Sequence, residues 1–291
     1  MIIDTHMHIG KEALLSEDIV DFLKKKNLWK SMSAKLTPEG VIEALDEGGI
    51  DLGVVFPLTF MPPDGQWQKM NDMTSDYVQQ YPDRLVGCAI INPQDITASL
   101  KELERAFDDL HLKGVKLHPS MQDCFANNTN LFPLFSYCQE KRSPILFHSG
   151  ASVPSHPDKY SQPMLLDDVA VEFPDLKIIV AHAGRPFYQE AALLLRKHPN
   201  VYVDICANKG RTGGTALLEM ALTFIKIYAD GLKKALFGSD FPVFSPTETL
   251  QDLRDLKEFS KPESLGGPLI SDDELEGMLG NNAASLFELN L

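Results

Sequence analysis

The chain has 291 residues, 44% of them apolar, enough to bury a sizeable core in one large domain or two ordinary ones. Its 27 Lys and Arg stand against 41 Asp and Glu, a formal charge of −14, which argues against nucleic acid or an anionic membrane surface as the main partner. No apolar run approaches the roughly 20 residues of a membrane helix, and no basic stretch followed by an apolar one opens the chain, so a cytoplasmic protein without a signal peptide is expected.

The first predicted strand covers residues 2–6 and leads into the run Asp4, His6, His8. Side chains two apart on a strand share a face, so these three point the same way and two imidazoles can converge on one divalent ion. Residues 17–27 read as a helix inside an insertion. Thr37-Pro38-Glu39 then starts a helix with a capping hydroxyl, Pro at the first helical position and an acid in the first turn; it ends at Gly48-Gly49. A strand over 52–56 stops at Pro57 and a long loop follows over 59–68. Next come a helix over 71–81, a strand over 85–91 and a helix over 97–110. The remaining strands are predicted over 114–118, 145–148, 177–181, 201–205 and 235–238. Helices separate them over 131–141, 163–173, 186–198 and 214–232. Two more helices close the chain over 247–259 and 271–289.

Eight short apolar strands thus each precede a helical stretch. Most lack strict alternation, as strands buried on both faces do. The expectation is a single α/β domain over residues 1–291, a (β/α)8 barrel with an insertion after strand 1 and extra C-terminal helices. An open doubly wound sheet is the alternative, weakened by the lack of a GxGxxG after the first strand. The four cysteines, Cys88, Cys124, Cys138 and Cys206, show no CxxC pairing and read as reduced thiols.

Polar residues collect at the carboxyl ends of these strands. His6 and His8 end strand 1, Lys116 and His118 strand 4, His148 strand 5, His182 strand 6 and Asp240 strand 8. In a barrel these ends open onto one mouth, where active sites of the fold lie. Five of the eight histidines lie there; His111, His156 and His198 do not. Taken singly, a histidine at a strand end is most often a hydrogen-bonded structural residue; the conjunction is what points to a site.

The segments DTHMH, GVKLHP, ILFHSG, AHAGR and FGSDFP span residues 4–242. In them the chain resembles the amidohydrolase superfamily, and more narrowly its amidohydrolase-related branch, which includes aminocarboxymuconate-semialdehyde decarboxylase. The resemblance implies a distorted, metal-bearing barrel. It implies His6, His8 and His148 as ligands, Asp240 as a further ligand or a base beside the metal, and His182 as the catalytic acid/base. One divalent ion is expected, zinc first for a nitrogen-rich set, with manganese or cobalt next. Such an ion lowers the pKa of bound water towards roughly 7, and Asp240 can accept its proton. Asp4 is expected either to orient an imidazole from behind or to fill the barrel interior.

Lys116 and Arg185 are the expected holders of a substrate carboxylate, with Lys209 and Arg211 as further cations near the mouth. A carbamylated Lys116 bridging two metals is the alternative for that residue. Phe56, Phe60, Met61, Trp67 and Phe147 are expected to wall a pocket, under a lid made by residues 11–36 and the loop through Trp67.

The leading expectation is a metal-dependent hydrolase of an ester, lactone or amide of a small, anionic substrate. The alternative is a non-oxidative decarboxylase of an aromatic or dienoic acid, as the branch implies. A metal-free lactonase and a barrel that only binds a ligand come behind, and no GxSxG elbow supports a serine hydrolase. A homodimer is compatible with the sequence.

Overall fold

The computed structural model describes residues 1–11, 14–15, 17–25, 27–58, 67–153, 155–209, 213–229 and 231–289. Phe60, Met61 and Arg211 lie outside them. Eight strands run in the order β1 to β8: β1 Ile3–Ile9, β2 Leu52–Pro57, β3 Leu85–Ile90, β4 Gly114–Leu117, β5 Ile145–Phe147, β6 Ile178–Val180, β7 Val201–Asp204 and β8 Ala235–Leu236. Every neighbouring pair is parallel. The last strand returns to the first. Met7 bridges Phe241, Thr5 N–H donates to the Phe237 carbonyl, and His8 N–H donates to the Phe241 carbonyl. The sheet is therefore a nearly closed (β/α)8 barrel.

Helices form where the sequence supplies caps and an apolar stripe. Thr37 caps the helix Pro38–Gly48 by accepting from Gly40 N–H, and Gly49 ends it in the left-handed region at φ 61°. Its buried Val41, Ala44 and Leu45 face the sheet; each large side chain so buried contributes about 1.5–3 kcal/mol. The helix Ala216–Tyr228 buries Leu218, Ala221, Leu222 and Ile225, the i, i+3, i+4, i+7 stripe of one face.

Three details depart from the sequence reading. Strand β1 extends to Ile9, because His8 and Ile9 still pair with Phe56 and Pro57. The insertion carries a second helix, Trp29–Lys35, beside Glu17–Lys25. The last predicted helix is not uniform: a π-turn over Gly277–Asn281 separates Asp272–Glu276 from Asn282–Leu286. The widened turn lets the Met278 carbonyl accept Phe237 N–H at 2.8 Å, next to β8. Gly280 sits where a Cβ would overlap the Met1 carbonyl oxygen. Among the described residues, no helix is long and apolar enough to cross a membrane.

Candidate active site and metal centre

The carboxyl ends of β1, β4, β5, β6, β7 and β8 deliver polar side chains to one buried cluster. From β1, His6 and His8 both turn Nε2 towards Asp240, whose Oδ1 lies 3.5 Å from His6 and 3.1 Å from His8. Asp240 is held there by its backbone, at φ 67°, with its N–H on the His6 carbonyl at 2.9 Å. Phe56, at the end of β2, lies against the cluster. Its ring centroid is 5.0 Å from that of His6 and 4.9 Å from that of His8, and Lys116 Nζ sits 4.8 Å from it. Lys116 Nζ is also 3.5 Å from His6 Nε2. Burial pulls the Lys116 amine down to about 8, against the carboxylates of Asp204 and Asp240.

His148 and His182 form the adjoining half. His182 Nε2 meets His148 Nδ1 at 3.0 Å, and the His148 ring stacks on His118 with centroids 3.8 Å apart. His148 Nε2 is buried with no hydrogen-bond partner among the described residues. Burial, reinforced by neighbouring cations, holds His6, His118, His148 and His182 well below the usual histidine range, so these imidazoles are neutral.

Beneath them lies a carboxylate from β7. Asp204 Oδ2 meets His6 Nδ1 at 2.9 Å; Asp204 Oδ1 accepts His182 N–H at 2.7 Å and the Cys206 thiol at 2.9 Å. Burial, with Asp204 beside it, pushes the Cys206 thiol well up, which keeps it a donor. Asp4 is buried too, but its Oδ1 accepts the backbone N–H groups of His6 and Ser239 and does not orient an imidazole. Burial raises its carboxyl to about 7.

The donor set fits a divalent ion. Two ligand atoms about 2.1 Å from one ion stand roughly 3.0–3.4 Å apart. The His8–Asp240 separation of 3.1 Å falls within that spacing, and the His6–Asp240 separation of 3.5 Å lies just beyond it. Ligand-type atoms of His6, His8 and Asp240 all lie within 4.8 Å of one another, and so do those of His6, His182, Asp204 and Cys206. His148 belongs to neither group; it lines the same cavity, and its Nε2 is buried without a hydrogen-bond partner among the described residues.

That cavity measures about 180 Å³. His8, His118, His148, His182 and Asp240 line it, with Ser155, His156 and the apolar Leu23, Met32, Leu58, Met121, Val153 and Val243. Leu23 and Met32 come from the insertion, so that segment contributes to the cavity wall, while residues 59–66 of the expected lid lie outside the described residues.

The profile of the amidohydrolase family matches residues 3–289. The chain belongs to that family. It is 23% identical over 271 residues to a 2-amino-3-carboxymuconate-6-semialdehyde decarboxylase of Dictyostelium discoideum, covering 79% of this chain and 74% of that one. Among solved structures, it is similar to a dihydroxybenzoic acid decarboxylase of a Polaromonas species with bound manganese and the inhibitor 2-nitroresorcinol. That match has a TM-score of 0.75, 17% identity, and 100% and 97% of the two chains covered. It is also similar to a probable 2-pyrone-4,6-dicarboxylic acid hydrolase of Acinetobacter baumannii with citric acid bound, at a TM-score of 0.69, 20% identity and 99% of each chain covered.

In this amidohydrolase several sequence candidates lie apart from the cavity wall. Arg185 flanks His182 in sequence, but its guanidinium donates to the Ala207 carbonyl. Lys209 is paired with Asp252 at 2.9 Å and Glu248 at 3.4 Å, an ordinary ion pair rather than a substrate cation. Phe147 packs on Phe135 in the core, centroids 5.8 Å apart. Sequence reading missed Asp204 and Cys206. The available signal was parity: Asp204 and Cys206 fall two apart at the end of an apolar strand, as His6 and His8 do.

Gly150 fixes the loop after His148. Its φ is 89°, its N–H donates to the Ser161 carbonyl, and a Cβ there would overlap the Arg185 carbonyl oxygen. Gly150→Ala is expected to cost about 2–4 kcal/mol from the positive φ and the overlap together. Urea unfolding checks it; a loss under about 0.5 kcal/mol contradicts the tight packing of these two loops.

Proposed function

We propose that this protein is a divalent-metal-dependent, non-oxidative decarboxylase of a small aromatic or dienoic acid. The observation that carries the reading is the cavity, which the neutral imidazoles of His148 and His182 and the Asp240 carboxylate line together with apolar side chains. Such a space accepts a flat apolar body with its acid end among the histidines. The decarboxylases to which the chain is similar support the choice over hydrolysis.

We assign His6, His8, His148 and Asp240 to the ion. When bound, it supplies a Lewis acid that polarises substrate oxygens. Asp240, on the cavity wall, takes a proton from a substrate hydroxyl or water and returns it to the ring carbon. That carbon keeps the electron pair of the breaking carbon–carbon bond as carbon dioxide leaves. His182, neutral and facing the same space, donates to or accepts from the acid group in flight. The apolar walls exclude water from the carboxylate. Lys116 brings positive charge to the cluster from beside His6. Arg185 does not line the cavity, and we assign it to the carboxylate through its charge near His148; Arg185→Ala is expected to raise KM several-fold with kcat little changed, whereas an unchanged KM makes it only a brace for Ala207.

Hydrolysis of an ester or lactone is the second reading, since Asp240 beside two imidazoles suits activation of water equally well. The experiment is a panel of hydroxybenzoic and dienoic acids alongside lactones, assayed with Zn2+, Mn2+ or Co2+. Carbon dioxide release that stops after dialysis against a chelator and returns with metal is the expected result. Lactone opening without carbon dioxide release would establish the second reading, and chelator-resistant turnover would remove the metal.

A further inference from the structure

We propose that Asp204 is a positioning residue that sets the tautomer of His6 and ties that ring to the His182 turn. The proposal rests on His6 being a metal ligand through Nε2. An imidazole binds a cation through the nitrogen without a proton, so the proton must sit on Nδ1. Asp204 Oδ2, 2.9 Å from Nδ1 and fully buried, is an acceptor placed to keep it there.

The other oxygen of the same carboxylate is saturated with donors. Asp204 Oδ1 accepts His182 N–H at 2.7 Å, the Cys206 thiol at 2.9 Å and Cys206 N–H at 3.3 Å. His182 and Ala183 occupy the left-handed region at φ 59° and 50°, which non-glycine residues adopt only when their surroundings hold them there. One side chain therefore orients a candidate ligand on β1 and pins the backbone that aims a candidate acid/base after β6. His6, His182, Asp204 and Cys206 also form a group of ligand-type atoms, but the thiol donates to Asp204 Oδ1, and His6 Nδ1 and His182 Nδ1 lie at hydrogen-bond distance from Asp204 Oδ2 and Cys206 Sγ. We read the group as the support of the metal centre, not as a second centre.

The saturation of Oδ1 makes Asp204→Asn a directed test. Three donors at that position require an oxygen there, so the amide nitrogen of the variant must face His6. An amide N–H pointing at Nδ1 makes Nδ1 an acceptor and moves the ring proton to Nε2, the nitrogen needed for the metal.

The experiment measures Zn2+ affinity of the full-length wild type and Asp204→Asn by chelator competition, with nitrogen-15 histidine spectra of both before metal is added. Expected are a protonated Nδ1 on His6 in the wild type, a protonated Nε2 in the variant, and a 10–100-fold loss of affinity. Equal affinities, or the same His6 tautomer in both, overturn the proposal. If the wild type binds no Zn2+, the metal reading fails instead, and the tautomer comparison still decides the role of Asp204. If the variant does not fold, the wild-type spectrum decides: a His6 protonated on Nε2 overturns the proposal.

Discussion

Asp240→Asn is expected to lower kcat by at least about 10³-fold while leaving the fold intact. The carboxylate supplies the negative ligand of the cluster and the oxygen that carries a proton to and from the reacting carbon. Asparagine has the same shape but is a weaker ligand and cannot accept that proton on its nitrogen. The fold should survive because Asp240 sits at φ 67°, a region asparagine tolerates, and because its N–H bond to the His6 carbonyl involves only backbone. A kcat within tenfold of wild type, at unchanged melting temperature, contradicts the assignment of Asp240 to the chemistry.

His6→Ala should have the largest combined effect, on bound metal and on stability. The imidazole offers Nε2 to the ion and Nδ1 to Asp204, and it is entirely buried. Removing it leaves the buried Asp204 Oδ2 without its hydrogen-bond partner, a change that costs about 1–3 kcal/mol. Metal content should fall from about one ion per chain to near zero, together with the melting temperature. His8→Ala separates the two effects, since the buried Asp204 carboxylate holds His6, the His182 backbone and Cys206. It should lose most of the metal with a smaller change in melting temperature. Unaltered metal content in purified His6→Ala would falsify ligation by that residue.

The barrel was legible in the sequence because its signals are local. Apolar strands, stop signals such as Pro57 and Gly150, and caps such as Thr37 and Gly49 all act within a few residues of where they stand. The convergence of His6, His8 and Asp240 was legible because strand parity and the common mouth of a barrel leave little freedom for residues at strand ends. What failed was whatever depends on contacts between distant segments. The π-turn at Gly277 exists for a hydrogen bond to Phe237, and nothing in residues 271–289 alone announces it. Asp4 and Asp204 look alike as acids near strand ends. Only the fold shows that Asp4 holds backbone N–H groups and Asp204 holds the imidazole. The aromatic pocket expected from Phe56 and Phe147 became packing beneath the site, because both rings are fully buried and the cavity walls come from Leu23, Met32, Leu58, Met121, Val153 and Val243. The position of His148 is likewise set by long-range partners, the rings of His118 and His182.

The central claim is that segments far apart in the chain hold one divalent ion. Its most direct test is anomalous diffraction from crystals grown with Zn2+ or Mn2+. The account predicts one strong peak about 2.0–2.3 Å from His6 Nε2, His8 Nε2 and an Asp240 oxygen, with His148 Nε2 completing the set. No peak at that position, or a peak seated instead between Asp204 and Cys206, would contradict it.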